Sequence, residues 1–444
     1  MSRLLAILIL VLPAAAFAQE WDLLGFNPRA TAMGNVQAAA DGDFTAVYYN
    51  PALLHGGSLG LGYTYEQPLL HDAAVGTPYS GSPAVHPLTD VEGFTLGAAA
   101  PLGGIFHDRV TMGFGIYVPQ TGLVLARMLD DGAATYYRFE DAPSQFQLAA
   151  GVGVQPFDWL SIGASAQILG NTGGSADFTA HLGEASGNGV QGTPSYIKTS
   201  DLATTDPVTI APIVGAVVGP FWGFRLLGCW RGEASGNYTL PINVLMDQSL
   251  GDLSVDVNGT YHFSPDEFTV GLGKTLLGGR LLVAADVEYD EWSEAPPPIA
   301  SIGVTLPSVL STLYNGTINP QTAATNFVDT WTPRLGVEWK PLDSLAVRGG
   351  YFFRPTMLPS APAAPHAKEP NQLYLDSDAN VFSFGLAYGF PDPLKIARRL
   401  TVEAAVQVGL LGTRTYGQDN VNGVLAYQSS GTTVDIPVAV RYDF

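Results

Sequence analysis

The sequence is short of the features that define most functional classes. A single cysteine, Cys229, excludes an intramolecular disulfide, and as a small apolar strand residue it gives no sign of a thiol nucleophile. Only 14% of the 444 residues are charged, with 20 basic against 40 acidic; the net charge of −20 repels phosphate and argues against a nucleic-acid partner. The seven histidines, His55, His71, His86, His107, His181, His262 and His366, are scattered with no pair at metal-ligand spacing, so neither a metal site nor a cofactor is expected. After the first 18 residues no apolar run is long enough for a membrane helix, although 46% of the chain is hydrophobic.

What is present starts with a leader. Met1 to Ala18 combines Arg3, an apolar run from Leu4 to Leu12 and the small-x-small ending Ala16-Phe17-Ala18, the pattern of a signal peptide cleaved before Gln19. The residue directly after the cleavage point is Gln19 and not cysteine, which argues against a lipoprotein. With 51 glycines and 11% aromatic residues, the exported chain suits an all-β transmembrane antiparallel barrel, where only alternate residues need be apolar.

The alternation is plain in several segments. Val434, Ile436, Val438, Val440, Tyr442 and Phe444 share one face, and Asp435, Arg441 and Asp443 share the other. Phe382, Phe384, Leu386, Tyr388 and Phe390 oppose small residues, while Arg348 and Arg354 fall opposite an apolar face. Strands are expected over 59–66, 91–100, 110–119, 145–157, 159–171, 207–219 and 224–234 in the first half. Those of the second half are 267–277, 279–292, 329–340, 344–354, 380–390, 399–414 and 433–444, about fourteen in all, an even number as a single-chain barrel requires. Short turns alternate with long connections at 67–90, 120–144, 172–206, 235–266, 293–328, 355–379 and 415–432, which puts both chain ends on the short-turn, periplasmic side. An extra hairpin is expected within 238–263.

Residues 25–54 do not fit a membrane strand. Gly25, Gly34 and Gly42, the turn Asp41-Gly42-Asp43 and the pair Asn50-Pro51 break this alanine-rich stretch into compact pieces. It reads as a plug, giving a division into leader 1–18, plug 19–58 and barrel 59–444. Pro51 pushes Asn50 out of helical conformation, leaving the Asn50 amide either to hold the plug to the wall or simply to make a local turn.

The order of Phe-x-Pro-Arg-Ala-Thr-Ala-Met-Gly (26–34) and Ala-Val-Tyr-Tyr-Asn-Pro-Ala-Leu (46–53) resembles the N-terminal hatch of the FadL/OmpP1/TodX family, outer-membrane channels for long-chain fatty acids and other hydrophobic compounds. Ala285 to Ser293, ending Glu-Trp-Ser, resembles an acidic strand of these transporters, and 332–339 with 349–355 resembles their late hairpin. The closing strand ending in Phe444 resembles the segment read by the barrel-insertion machinery. The resemblance implies a monomeric barrel that passes hydrophobic small molecules inward when the plug shifts near Asn50, Pro51 and Ala52. It also implies lateral exit into membrane lipid at the third strand, where Gly113, Gly115 and Pro119 are the candidates.

Asp286, Glu288 and Asp290 share the face that must avoid lipid, and Arg334, Arg348 and Arg354 are their natural partners in a lumen ion-pair network. Two readings of Arg29 stand, as a member of that network or as the contact of a ligand carboxylate. The chain departs from the family at Ser165 to Asn171, where basic residues are expected and none is found, which leaves room for an uncharged substrate. The Gly56-Gly57-Ser58-Leu59-Gly60 match to a hydrolase elbow lacks the required helix after it, so no enzyme is expected. A lipid hydrolase and a barrel that carries nothing remain as alternatives. A Ser/His/acid set on the outer rim would mark the first, and a lumen filled by polar pairs the second.

Overall fold

A computed structural model describes residues 25–75, 88, 90–120, 136, 138–139, 147–170, 173–181, 196–205, 208–245, 252–296, 301–305, 316–318, 327–359, 375–391, 399–416 and 426–444. The proposed leader lies outside them. Fourteen antiparallel strands close on themselves. The first seven are β1 (Ser58–Val75), β2 (Val91–Pro101), β3 (Val110–Pro119), β4 (Gln147–Phe157), β5 (Leu160–Gly170), β6 (Val208–Phe221) and β7 (Phe224–Arg231). The rest are β8 (Glu267–Leu276), β9 (Leu281–Asp290), β10 (Thr330–Leu342), β11 (Leu345–Arg354), β12 (Ala379–Pro391), β13 (Arg399–Tyr416) and β14, in two pieces, Ala426–Asp435 and Val438–Asp443. Closure is made by β1 against β14, and the register runs unchanged across the proline that divides β14, from Tyr63↔Val438 to Glu66↔Asp435.

Within the barrel wall the strands follow the two-residue period. On β12, Phe382, Phe384, Leu386, Tyr388 and Phe390 are exposed, whereas Val381, Ser383 and Ala387 between them are buried. The exposed side chains of all strands form an apolar band for lipid, bounded by aromatic pairs such as Tyr63 with Phe94 and Tyr289 with Trp331 at one rim and Phe157 with Trp159 at the other. Lumen positions carry the buried charges, because a charge on the lipid face near mid-membrane costs about 2–4 kcal/mol.

Two expectations need correction. The connections 67–90 and 415–432 are partly strand: β1 and β14 go on pairing from Glu66↔Asp435 to Val75↔Ala426. Gln67-Pro68-Leu69-Leu70-His71-Asp72 no longer alternates apolar with polar, so periodicity ends where pairing does not. The expected hairpin within 238–263 is Ala234–Leu245 with Asp252–Ser264, and it belongs to a separate six-stranded sheet that the sequence reading did not resolve. In that sheet Ala234–Leu245 also pairs in parallel with Gly173–His181, joining two of the long connections.

The plug fills the lumen at the short-turn end. It consists of α1 (Pro28–Ala32), a 3-10 turn at Gln37–Ala40, α2 (Ala46–Tyr49) and a second 3-10 turn at Pro51–Leu53. Asn27 caps α1, its side chain accepting from the Ala30 N–H at 2.7 Å, and Pro28 follows at a position where its missing N–H costs nothing. Phe26, Phe44, Tyr48 and Leu53 form the plug's core against the inner wall.

Candidate functional site

The site is the contact between plug and wall, together with an apolar cluster beyond it. Arg29 on α1 donates from Nε and Nη2 to the two Glu338 carboxylate oxygens, at 3.1 and 3.2 Å, and from Nη1 to the Asp41 carbonyl at 3.0 Å. Glu338 on β10 also accepts from Arg348 of β11 at 2.8 Å, and Arg348 pairs in turn with Glu403 of β13. Arg441 of β14 reaches Glu403 at 3.4 Å and returns to the plug by donating to Asp43 at 2.9 Å. Asp43 is hydrogen-bonded by Asn27, two residues before Arg29. Carboxylates and guanidiniums thus alternate round α1, each charge offset by neighbours in a setting where a lone one would be costly.

A second set of contacts holds the other side. Asp286 on β9 accepts from the Gln37 backbone N–H at 2.7 Å. Asn50 has both of the roles its sequence position left open. Its Oδ1 accepts from the Ala52 N–H at 3.0 Å, capping the second 3-10 turn, while Nδ2 donates to Gln37 Oε1 at 2.7 Å and to the wall carbonyl of Gly228 at 3.0 Å. Pro51 and Asn50 press so closely on β5 and β6 that only glycine fits opposite: a Cβ on Gly163 would lie 2.2 Å from the Pro51 carbonyl carbon, and one on Gly215 2.0 Å from Asn50 Oδ1.

At the short-turn end the Asp41 carboxylate is held from two sides, by Arg225 of β7 at 2.8 Å and by the half-exposed His55 ring at 2.8 Å. Burial pushes the Asp41 carboxyl up, but the hydrogen bond to His55 and the Arg225 charge outweigh it and hold it well below the usual carboxylate range. The same hydrogen bond raises His55 above its ordinary value, against burial, which lowers it.

The residues expected to form one network divide into several. Glu288 pairs with Arg334 as expected, Asp286 serves the plug, and Asp290 accepts from Thr330 at 2.8 Å. Arg348 and Arg354 pair with acids not singled out from sequence, Glu338 and Glu403 for the first and Asp376 for the second. Asp43, Arg231, Glu267, Glu338, Glu403 and Arg441 were missed as participants, although alternation alone puts Glu338 and Glu403 on lumen faces. Gly113 and Gly115 face inward, where a Cβ would meet Leu54 at 2.8 Å and Phe26 at 2.7 Å. The ladder around them is continuous, with β3 paired to β2 from Thr111 to Pro119 and to β4 from Val110 to Tyr117. Weakened pairing was expected there; instead the glycines give their space to plug side chains.

Beyond the plug, toward the long connections, Tyr136, Phe139, Phe263, Trp292, Phe327, Phe352 and Met357 pack into a second apolar cluster. Arg138 lies over the Trp292 ring at 4.6 Å and Arg354 over Phe139 at 5.2 Å, and both reach Asp376 at 3.4 Å. Each of these arginines, like Arg29, Arg231, Arg334, Arg348 and Arg441, is within ion-pair distance of a carboxylate.

Solved structures share the fold of this barrel. A Pseudomonas aeruginosa FadL homologue matches with a TM-score of 0.62 and 15% identity over 94% of this chain and 98% of that one. The fold is that of the FadL-type barrels. The Ralstonia pickettii toluene transporter TbuX matches at a TM-score of 0.51 and 16% identity over 98% of this chain and 100% of that one. Among curated proteins, alkane uptake protein A of Marinobacter nauticus is 24% identical over 387 residues, 84% of this chain and 79% of its own length. No family model matches the chain. The resemblance of residues 26–53 to the FadL/OmpP1/TodX hatch therefore sits in a chain whose whole fold is FadL-type.

Proposed function

We propose that this chain is an outer-membrane channel for the passive, inward passage of uncharged hydrophobic molecules, alkanes or small aromatic hydrocarbons in preference to fatty acids. The observation that carries the proposal is the pairing of the lumen's buried arginines with carboxylates. A fatty-acid carboxylate entering would have to displace an acid that is already held by charge-assisted hydrogen bonds. An uncharged chain has no such requirement, and its transfer from water is favourable by about 0.8 kcal/mol per buried methylene. The names of the alkane-uptake and toluene-transporter relatives agree with this choice.

In this reading the export signal is removed, the barrel is inserted through recognition of the strand ending in Phe444, and it works as a monomer without catalysis. Apolar molecules enter at the Trp292 and Phe139 cluster. Release of the plug around Asn50, Pro51 and Ala52 opens the way onward. Ser58 has no part in hydrolysis, since it is buried at the start of β1 at the short-turn end. A barrel that carries nothing is the reading favoured by one observation, a described lumen filled by plug and ion pairs. Uptake of labelled hexadecane and of labelled palmitate by cells with and without the gene separates the readings. Hexadecane uptake that depends on the protein and falls several-fold in Trp292→Ala is expected. Gene-dependent uptake of palmitate alone would overturn the substrate choice, and no dependence for either would favour the non-transporting barrel.

A further inference from the structure

The seam that closes the barrel carries two carboxylates that play no part in holding the plug. Glu66 of β1 and Asp435 of β14 are direct cross-strand partners, both at lumen positions and 4% and 2% exposed. Side chains so paired have Cβ atoms about 4.5–5.5 Å apart, close enough for both carboxylates to meet one small ion. Neither oxygen of Asp435 has a hydrogen-bond partner. Among the described residues no cation forms an ion pair with either group, and Arg354, whose charge reaches Glu66, is itself held by Asp376 at 3.4 Å. Two adjacent carboxylates withdrawn from water repel each other unless positive charge lies between them.

We propose that Glu66 and Asp435 bind a hard divalent cation of the calcium or magnesium class, which staples β1 to β14 from inside the lumen. The two formal negative charges match a doubly charged ion, and carboxylate oxygens are the donors such ions prefer, with water completing the shell. The seam has use for a staple, since Pro437, two residues beyond Asp435, has no N–H to give to the ladder. The acidic group Glu267, Glu288 and Asp290 is a poorer candidate although its donor atoms lie within 4.8 Å of one another, because Arg231 and Arg334 already occupy Glu267 and Glu288. The proposal does not depend on the transport reading.

The test uses the full chain extracted into detergent, stripped with EDTA and titrated with calcium chloride, then magnesium chloride. Circular dichroism follows thermal unfolding of the barrel, and calorimetry follows binding. The wild-type midpoint is expected to rise by several degrees at saturating ion, with about one ion bound per chain. Glu66→Gln and Asp435→Asn are expected to lose the rise, whereas Asp290→Asn keeps it. If one seam variant does not fold, the other and the direct wild-type titration still decide. A wild-type protein indifferent to both ions but stabilised by mild acid would overturn the proposal in favour of a proton shared by the pair. An equal rise in wild type and Asp435→Asn would overturn it by placing the ion elsewhere.

Discussion

Replacing Arg29 with glutamine removes the one charged side chain by which α1 reaches β10. Two charge-assisted hydrogen bonds to Glu338 and one bond to the Asp41 carbonyl are lost. Removing one member of a buried pair costs about 3–5 kcal/mol when its partner is left alone. Glu338 is not left alone, because Arg348 stays at 2.8 Å and Lys340 at 3.3 Å, so the lower end of that range applies. A loss of about 3 kcal/mol raises the undocked plug population by on the order of a hundredfold, at about 1.4 kcal/mol per factor of ten. The loss should be local, since no strand-to-strand ladder involves Arg29. Hydrogen exchange followed by peptide mass spectrometry is the assay: amides of residues 28–54 should exchange about a hundredfold faster while those of β10 and β11 keep their protection. Unchanged exchange in the plug would refute the argument, and so would faster exchange spread evenly over the barrel. Combining the change with Glu338→Gln should cost less than the two single losses added together, as expected of groups in direct contact.

Gly215→Ala should displace Asn50 and raise single-channel conductance in planar bilayers, whereas Gly228→Ala, where an added Cβ meets nothing within 4 Å, should leave conductance at the wild-type level. Asn50→Ala removes the bonds to Gln37 and Gly228, and plug-amide exchange should report a loss of about 1–3 kcal/mol. The His55, Asp41 and Arg225 contact makes plug retention depend on pH. The raised pKa of His55 gives stabilisation that is complete below the unfolded value of about 6.5 and lost as pH rises through the folded one. The lowered pKa of Asp41 gives stabilisation present above about 3.9 and lost only in stronger acid. Plug protection should therefore be greatest between about pH 4 and 6.5 and decline toward alkaline pH. His55→Gln should flatten that decline, and a wild-type protection profile that does not change between pH 5 and 9 would contradict the assignment.

The barrel was legible because lipid imposes a rule that each strand obeys by itself. Alternating positions in Val402 to Val408 or Phe382 to Phe390 need no knowledge of what lies opposite. The extended ends of β1 and β14 escaped notice because the rule no longer acts there, and Leu69 and Leu70 stand side by side. The plug was visible as a break in the rule, and Asn50 as a capping residue beside a proline. Its partners were not visible, since Arg29 and Glu338 are 309 residues apart and nothing in either segment names the other. Arg348 was placed on the correct face but matched with the wrong acids, because facing is a local property and pairing depends on the position of each strand round the barrel.

Asp43 and Arg441 are separated by 398 residues, and the strand that carries Arg441 is also the one that completes the barrel against β1. Docking of the plug and completion of the wall are therefore parts of one event in assembly. An unclosed sheet has no Arg441 in place to capture Asp43, and a barrel that closes gains a charged contact with its own contents.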